Sequence, residues 1–258
     1  MLDKLIKYEF KATGRVFLPL YGVILIVALV HRLFGTNTRG MFEQVNQIGY
    51  ITTTALVALF IALCIMTLVL TVQRFKNNLL GDEGYLMFTL PTTSRKLIMS
   101  KFIVALTWVV LSTIVGVVAF LILFIKTNFM KELVILLGEV QVFKREGISI
   151  LIQGIAFSFI GYIQLLITIY FSLSIAQLPK LQSHRNLTSI ITFILTMIST
   201  NWINSFIVRL FISGPSDMST VLDYMNKSIL SSNIVILMIS ILLFEMTNYI
   251  LTKHLNLE

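Results

Sequence analysis

The sequence predicts an all-α, polytopic membrane protein, and three observations carry that expectation. Of its 258 residues 57% are hydrophobic and only 12% are charged, so a soluble fold of this length would lack the polar groups to cover its surface. Six apolar runs lie at roughly 16–34, 50–72, 102–125, 150–175, 187–208 and 232–252, each near or above the ~20 residues that a helix needs to cross the hydrocarbon layer. The polar segments between them are short. They leave no room for a large soluble domain, and residues 1–258 are expected to form a single transmembrane domain.

The first element is residues 2–15, LDKLIKYEFKATGR. At 100° per residue Leu2, Leu5, Ile6 and Phe10 share one face, with Lys4, Lys7, Lys11 and Arg15 almost opposite. This predicts an N-terminal amphipathic interfacial helix lying among lipid headgroups, its lysines toward anionic lipid. Glu9 projects among the apolar side chains. It is either a rim carboxylate paired with a neighbouring lysine or a contact to the Gln73–Lys101 connector or to a partner. Because this charged stretch precedes the first apolar run, the N-terminus does not read as a cleavable signal.

Six spans put both termini on one side. Placing that side in the cytoplasm gives it twelve Lys and Arg against seven outside, with Arg209 near a span end. The short N-terminal flank alone holds four, so the expected orientation is N-in and C-in. The net charge of +8 is then a matter of span orientation, and no nucleic-acid partner is expected.

The longest inner interruption is Gln73–Lys101, QRFKNNLLGDEGYLMFTLPTTSRKLIMSK, which holds five Lys and Arg. Its punctuation is that of a folded connector. Gly81 suits a left-handed position past a helix end, Asp82 suits an N-cap for a short helix over Glu83–Thr89, Pro91 turns Leu90 away from helix, and Ser94 can cap the next span. Tyr85, Leu86 and Phe88 offer apolar contacts, either to a partner protein or to lipid.

On the outer side, 126–149 alternates charge and apolar residues at helical spacing and suits an interfacial helix. The fourth run carries Gly154, Ser158, Gly161 and Ser172 on one face, a pattern that lets helices approach closely. Gln153, Gln164 and Thr168 form a neighbouring polar stripe, which either lines a substrate path or bonds to another helix. The fifth run becomes polar through Thr196, Ser199, Thr200, Asn201, Asn204 and Ser205. That predicts a break near Asn201 and a re-entrant segment before the last span. In the last run Glu245 stands inside the apolar stretch, either tying helices together or acting in passage or gating.

Some chemistries are absent from the sequence. There is no G-x-x-x-x-G-K-[ST] motif to hold ATP, no H-E-x-x-H and no G-x-S-x-G. The single cysteine, Cys64, permits no intrachain disulfide. Ionisable groups do not converge within the spans, so an enzyme is not expected, nor a metal or other cofactor.

With a basic N-terminal helix reading LIKYEFK, six spans, and a connector of the form Gly-Asp-Glu-Gly-Tyr…Leu-Pro-x-x-x-Arg-Lys, the chain resembles bacterial ABC exporter permeases of the second exporter type. The resemblance covers the whole layout, and Gly81–Lys101 is its specific part. It implies a permease subunit in the cell membrane, one of two permease chains that form the path, with ATP and Mg held by a separate ATPase subunit. By this resemblance Asp82–Leu90 is the coupling helix, with Asp82, Glu83, Tyr85, Leu86 and Phe88 at the ATPase. The cargo expected is an amphipathic peptide, an antibiotic or a lipid. The alternative is a non-transporting multi-pass membrane protein of the immunity or assembly type.

Overall fold

The computed structural model describes residues 2–37, 44–45, 47–81, 93–124, 146–179, 181, 184–212, 214 and 221–253. Six long helices account for nearly all of them: α1 Leu2–Phe34, α2 Gln47–Phe75, α3 Ser94–Phe124, α4 Glu146–Ile175, α5 Arg185–Phe211 and α6 Val221–Lys253. All six are long and apolar enough to cross a membrane. A two-residue antiparallel ladder, β1 Thr36–Asn37 with β2 Gln44–Val45, joins α1 to α2. Rows of large apolar side chains face outward, among them Ile51, Ile61 and Ile65 on α2 and Ile190, Ile194 and Ile198 on α5. Apolar exposure on that scale belongs in lipid, not in water. The chain is a multi-pass membrane protein.

Many of the hydroxyls inside these helices are satisfied locally. Thr52, Thr67, Thr71, Thr107, Ser174 and Thr247 each donate to the carbonyl four residues back. In an apolar surround a hydroxyl without a partner is costly, and this back-bonding removes the cost without breaking the helix.

Two compact units divide the chain: residues 1–73 with 99–139, and residues 74–98 with 140–258. In the first, the buried face of α1 runs Phe17, Tyr21, Ile24, Ala28 and packs with Leu56 and Leu63 of α2 and Val104, Trp108 and Ala119 of α3. Trp108 is the centre of this core. Phe10 and Phe17 both stack on its ring at 4.6 Å between centroids, and Gly14 leaves the space its edge fills, since an added Cβ would already touch the ring at 3.5 Å. The Trp108 indole N–H donates to Thr13 Oγ1 at 2.7 Å, and the Tyr21 hydroxyl donates to the Trp108 carbonyl at 3.1 Å.

In the second unit α4 packs chiefly on α6 and also on α5. The end of α2 widens into a single π-helical turn, Lys76–Leu80, with Leu79 and Leu80 buried. Phe75, fully buried, stacks on Tyr170 of α4 at 4.1 Å between centroids.

Three expectations are corrected here. Residues 2–15 are helical but do not form a separate interfacial helix, because α1 continues unbroken through Arg15 and Pro19 into the span. Its N-terminal half is held on α3 by bonds to Trp108 and Lys101 and so follows that helix, with Lys4, Lys7, Lys11 and Arg15 exposed. α5 does not break near Asn201. Thr196 donates to Thr192 O, and Thr200 and Asn201 both donate to Met197 O, so the polar run is absorbed by its own helix. α6 likewise runs continuously from Val221, leaving no re-entrant pair over residues 221–231. Gly81, finally, is extended at φ −98°, not left-handed. Glycine is required there because a Cβ would sit 2.9 Å from the Asn77 carbonyl oxygen.

Candidate functional site

The polar residues singled out from the sequence fall into separate sites. Glu9 is buried on α1, and its Oε1 accepts from Lys101 Nζ on α3 at 2.5 Å. Their side chains are only 10% and 4% exposed. One helical turn further along, Thr13 donates to the Glu9 carbonyl at 2.8 Å while accepting from Trp108. A buried charge without a counter-charge is costly. Lys101 supplies the compensating charge, and the pair locks the register of α1 on α3.

In the second unit Gln164 and Gln153 lie on the face of α4 that meets α6. Gln164 is buried, its Oε1 accepts from Ser240 of α6 at 2.5 Å, and its amide nitrogen lies 3.5 Å from the fully buried Thr168 hydroxyl. Gln153 donates to Ser149 Oγ, and its backbone carbonyl accepts from Asn233 of α6 at 3.5 Å. Ser149 reaches Asn226, and Asn204 of α5 reaches Ser232. This polar stripe therefore bonds helix to helix. Even so, the side-chain oxygens of Gln153, Asn204 and Asn233 stay buried without a partner among the described residues, which leaves that end of the unit polar and unsaturated.

Glu245 is not a lone charge. Both its oxygens accept from one guanidinium nitrogen of Arg95, at 2.5 Å, with the two side chains 47% and 57% exposed. Asn201 sits apart, on an exposed face of α5 beside Trp202 and Arg209. Asp82, Glu83, Tyr85, Leu86 and Phe88 lie outside the described residues, as does most of the segment 126–149.

The expected contact of Glu9 to the connector is made by its last residue, Lys101, but sequence reasoning did not name the individual partners. Lys101 counted only as a connector charge, although it stands seven residues past Ser94, about two helical turns into an apolar helix, and that depth was the available signal. Arg95 was likewise read only as a topological charge. Lys76, His184 and Arg185, separated by about a hundred residues in the chain, line one cleft with Gln177 and Asn186, and no local pattern announces that.

The chain was compared with protein-family models, curated proteins and solved structures, and none matches it.

Proposed function

We propose that this chain is the membrane-spanning permease half of an ATP-driven ABC exporter of the second exporter type. It pairs with a second permease chain and takes its energy from a separate ATPase subunit that holds ATP and Mg. The sequence resemblance centred on Gly81–Lys101 motivates the reading. The observation that carries it is the way the connector between α2 and α3 is held at both ends. Phe75 stacks on Tyr170, Leu79 and Leu80 of the following turn are buried, Lys76 donates to Asn186 at 3.0 Å, and Arg95 pairs with Glu245. A loop that merely reversed direction would not need such fixing. A lever that converts a push on Asp82–Leu90 into movement of α4, α5 and α6 would.

The same contacts support the inner-side grouping of the connector, the α4–α5 loop and the end of α6, since Lys76 meets the start of α5 and Arg95 meets the later half of α6. Together with the positive flanks they favour a cytoplasmic location for that end, in the cell membrane.

The test is affinity purification of the tagged chain in mild detergent. An ATP-binding chain whose hydrolysis rate changes with this subunit present is the expected result. Recovery of the intact chain with other membrane subunits but no ATPase would favour the non-transporting alternative.

A further inference from the structure

We infer that α4 is hinged over Gly154–Gly161 and that its N-terminal arm swings away from α6, admitting water among the polar side chains of the second unit. The inference concerns that unit alone and holds whether or not the chain couples to an ATPase.

The first observation is a change of packing along α4. No side chain from 149 to 163 is buried, whereas Gln164, Leu166, Ile167, Thr168 and Tyr170 all are. A helix anchored through one half opens locally at the other, because few apolar contacts have to be lost there.

The second is the bonding between helices. At the packed end Gln164 Oε1 accepts from Ser240 of α6 at 2.5 Å. About three helical turns nearer the start of α4, Asn233 of α6 donates to the Gln153 carbonyl at 3.5 Å, Gln153 to Ser149 at 3.3 Å, and Asn204 of α5 to Ser232 of α6 at 3.4 Å. All three exceed the usual range for N–H···O bonds. The side-chain oxygens of Gln153, Asn204 and Asn233 are also buried without a partner among the described residues. They have almost no surface in this arrangement, so water reaches them only when the helices part. A buried amide oxygen left unbonded is costly, and hydration restores its bond. This end of the unit therefore gains from opening what the Gln164–Ser240 end would lose.

The third is the pair of glycines. Gly154 and Gly161 stand between the weakly bonded end and the Gln164–Ser240 bond, and a Cβ added at either meets nothing within 4 Å among the described residues. Close helix approach, the expectation from their spacing, does not account for them. Inside a helix glycine costs stability and loosens the backbone. Ser158, between the two, donates to the Gly154 carbonyl at 3.0 Å, a back-bond of the kind that bends helices. Bends in long helices fall at such glycine and serine positions. The arm that carries Ser149 and Gln153 thus pivots on a loosened segment, while Gln164 stays bonded to Ser240.

The test places the chain, in a Cys64→Ala background, in lipid nanodiscs, where both faces of the bilayer are reachable. It reads the rate of reaction with a charged methanethiosulfonate, which modifies hydrated thiols. Ser232→Cys and Asn233→Cys, at positions 9% and 7% exposed, should react about tenfold faster than Thr168→Cys, which is fully buried in the packed half. Gly154→Ala/Gly161→Ala, which stiffens α4, should slow both by about tenfold and leave Thr168→Cys unchanged. The glycines lie on α4 and the thiols on α6, so the change reports the parting of two helices and not fraying of one. Hydrogen exchange of the Cys64→Ala chain gives a reading should a further Cys variant fail to fold: amides of 149–163 should exchange faster than those of 164–174, and the two alanines should slow them. Ser232→Cys and Asn233→Cys as inert as Thr168→Cys, or exchange equally slow in both halves, would overturn the opening and leave a sealed helix-to-helix contact. Rates unchanged by the two alanines would overturn the hinge.

Discussion

Glu9 on α1 and Lys101 on α3, 92 residues apart in the chain, form a buried ion pair with Nζ and Oε1 2.5 Å apart. The aromatic sandwich of Phe10, Trp108 and Phe17 continues the same seam. Removing one partner leaves the other charge buried without its counter-charge, at a cost of about 3–5 kcal/mol. Glu9→Ala and Lys101→Ala should each destabilise the first unit by that order, whereas Glu9→Leu with Lys101→Met should recover most of the loss. Denaturant unfolding of the three variants in detergent checks this. A double variant as unstable as the singles would show that the pair does more than compensate charge.

Glu245 and Arg95 form the opposite kind of pair, half-exposed and near the end of α6. Exposed pairs contribute about 0–1 kcal/mol, so Glu245→Gln should leave the level of the chain in the membrane unchanged and, under the proposed function, transport within about twofold of wild type. Loss of transport in an assembled complex would give the Glu245 charge a role in passage.

Gln164 ties α4 to α6 through Ser240. Ser240→Ala leaves the buried Gln164 amide short of a partner and should cost about 1 kcal/mol, the scale of interhelical hydrogen bonds in membranes. Gln164→Leu with Ser240→Ala removes both polar groups and should cost less than the single change. Unfolding of the purified variants reads this directly.

Orientation is tested by labelling. In a Cys64-free background, Cys at Asn128 should react with an impermeant maleimide in intact cells, and Cys at Asn77 should not. The reverse pattern would invert the topology and remove the coupling assignment with it.

The spans were legible because their signal is local. Some 20 consecutive apolar residues suffice, and α2, α4 and α5 begin and end within a few residues of the runs read from the sequence. What the sequence did not disclose depends on distant partners. Residues 2–15 have the composition of an interfacial helix, yet Trp108 and Lys101, far along the chain, hold that segment on α3. The polar run around Asn201 resembles a helix break until its side chains are seen bonding carbonyls one turn back. Glu9, Glu245 and Gln164 were identifiable as misplaced polar groups, and the depth of Lys101 in an apolar helix was a signal too, but Arg95 and Ser240, which complete the other two, carry no pattern of their own.

The central claim is that Asp82–Leu90 docks on an ATPase and that the ends of the connector pass its movement to α4, α5 and α6. Its most direct measurement is recovery of the ATPase with the tagged permease, normalised to permease in the membrane, for wild type and for Tyr85→Ala/Phe88→Ala. Aromatic anchors at interfaces contribute roughly 2 kcal/mol each, about thirtyfold in affinity. The account predicts that the double variant is inserted at wild-type level but recovers almost no ATPase. Recovery equal to wild type would contradict it.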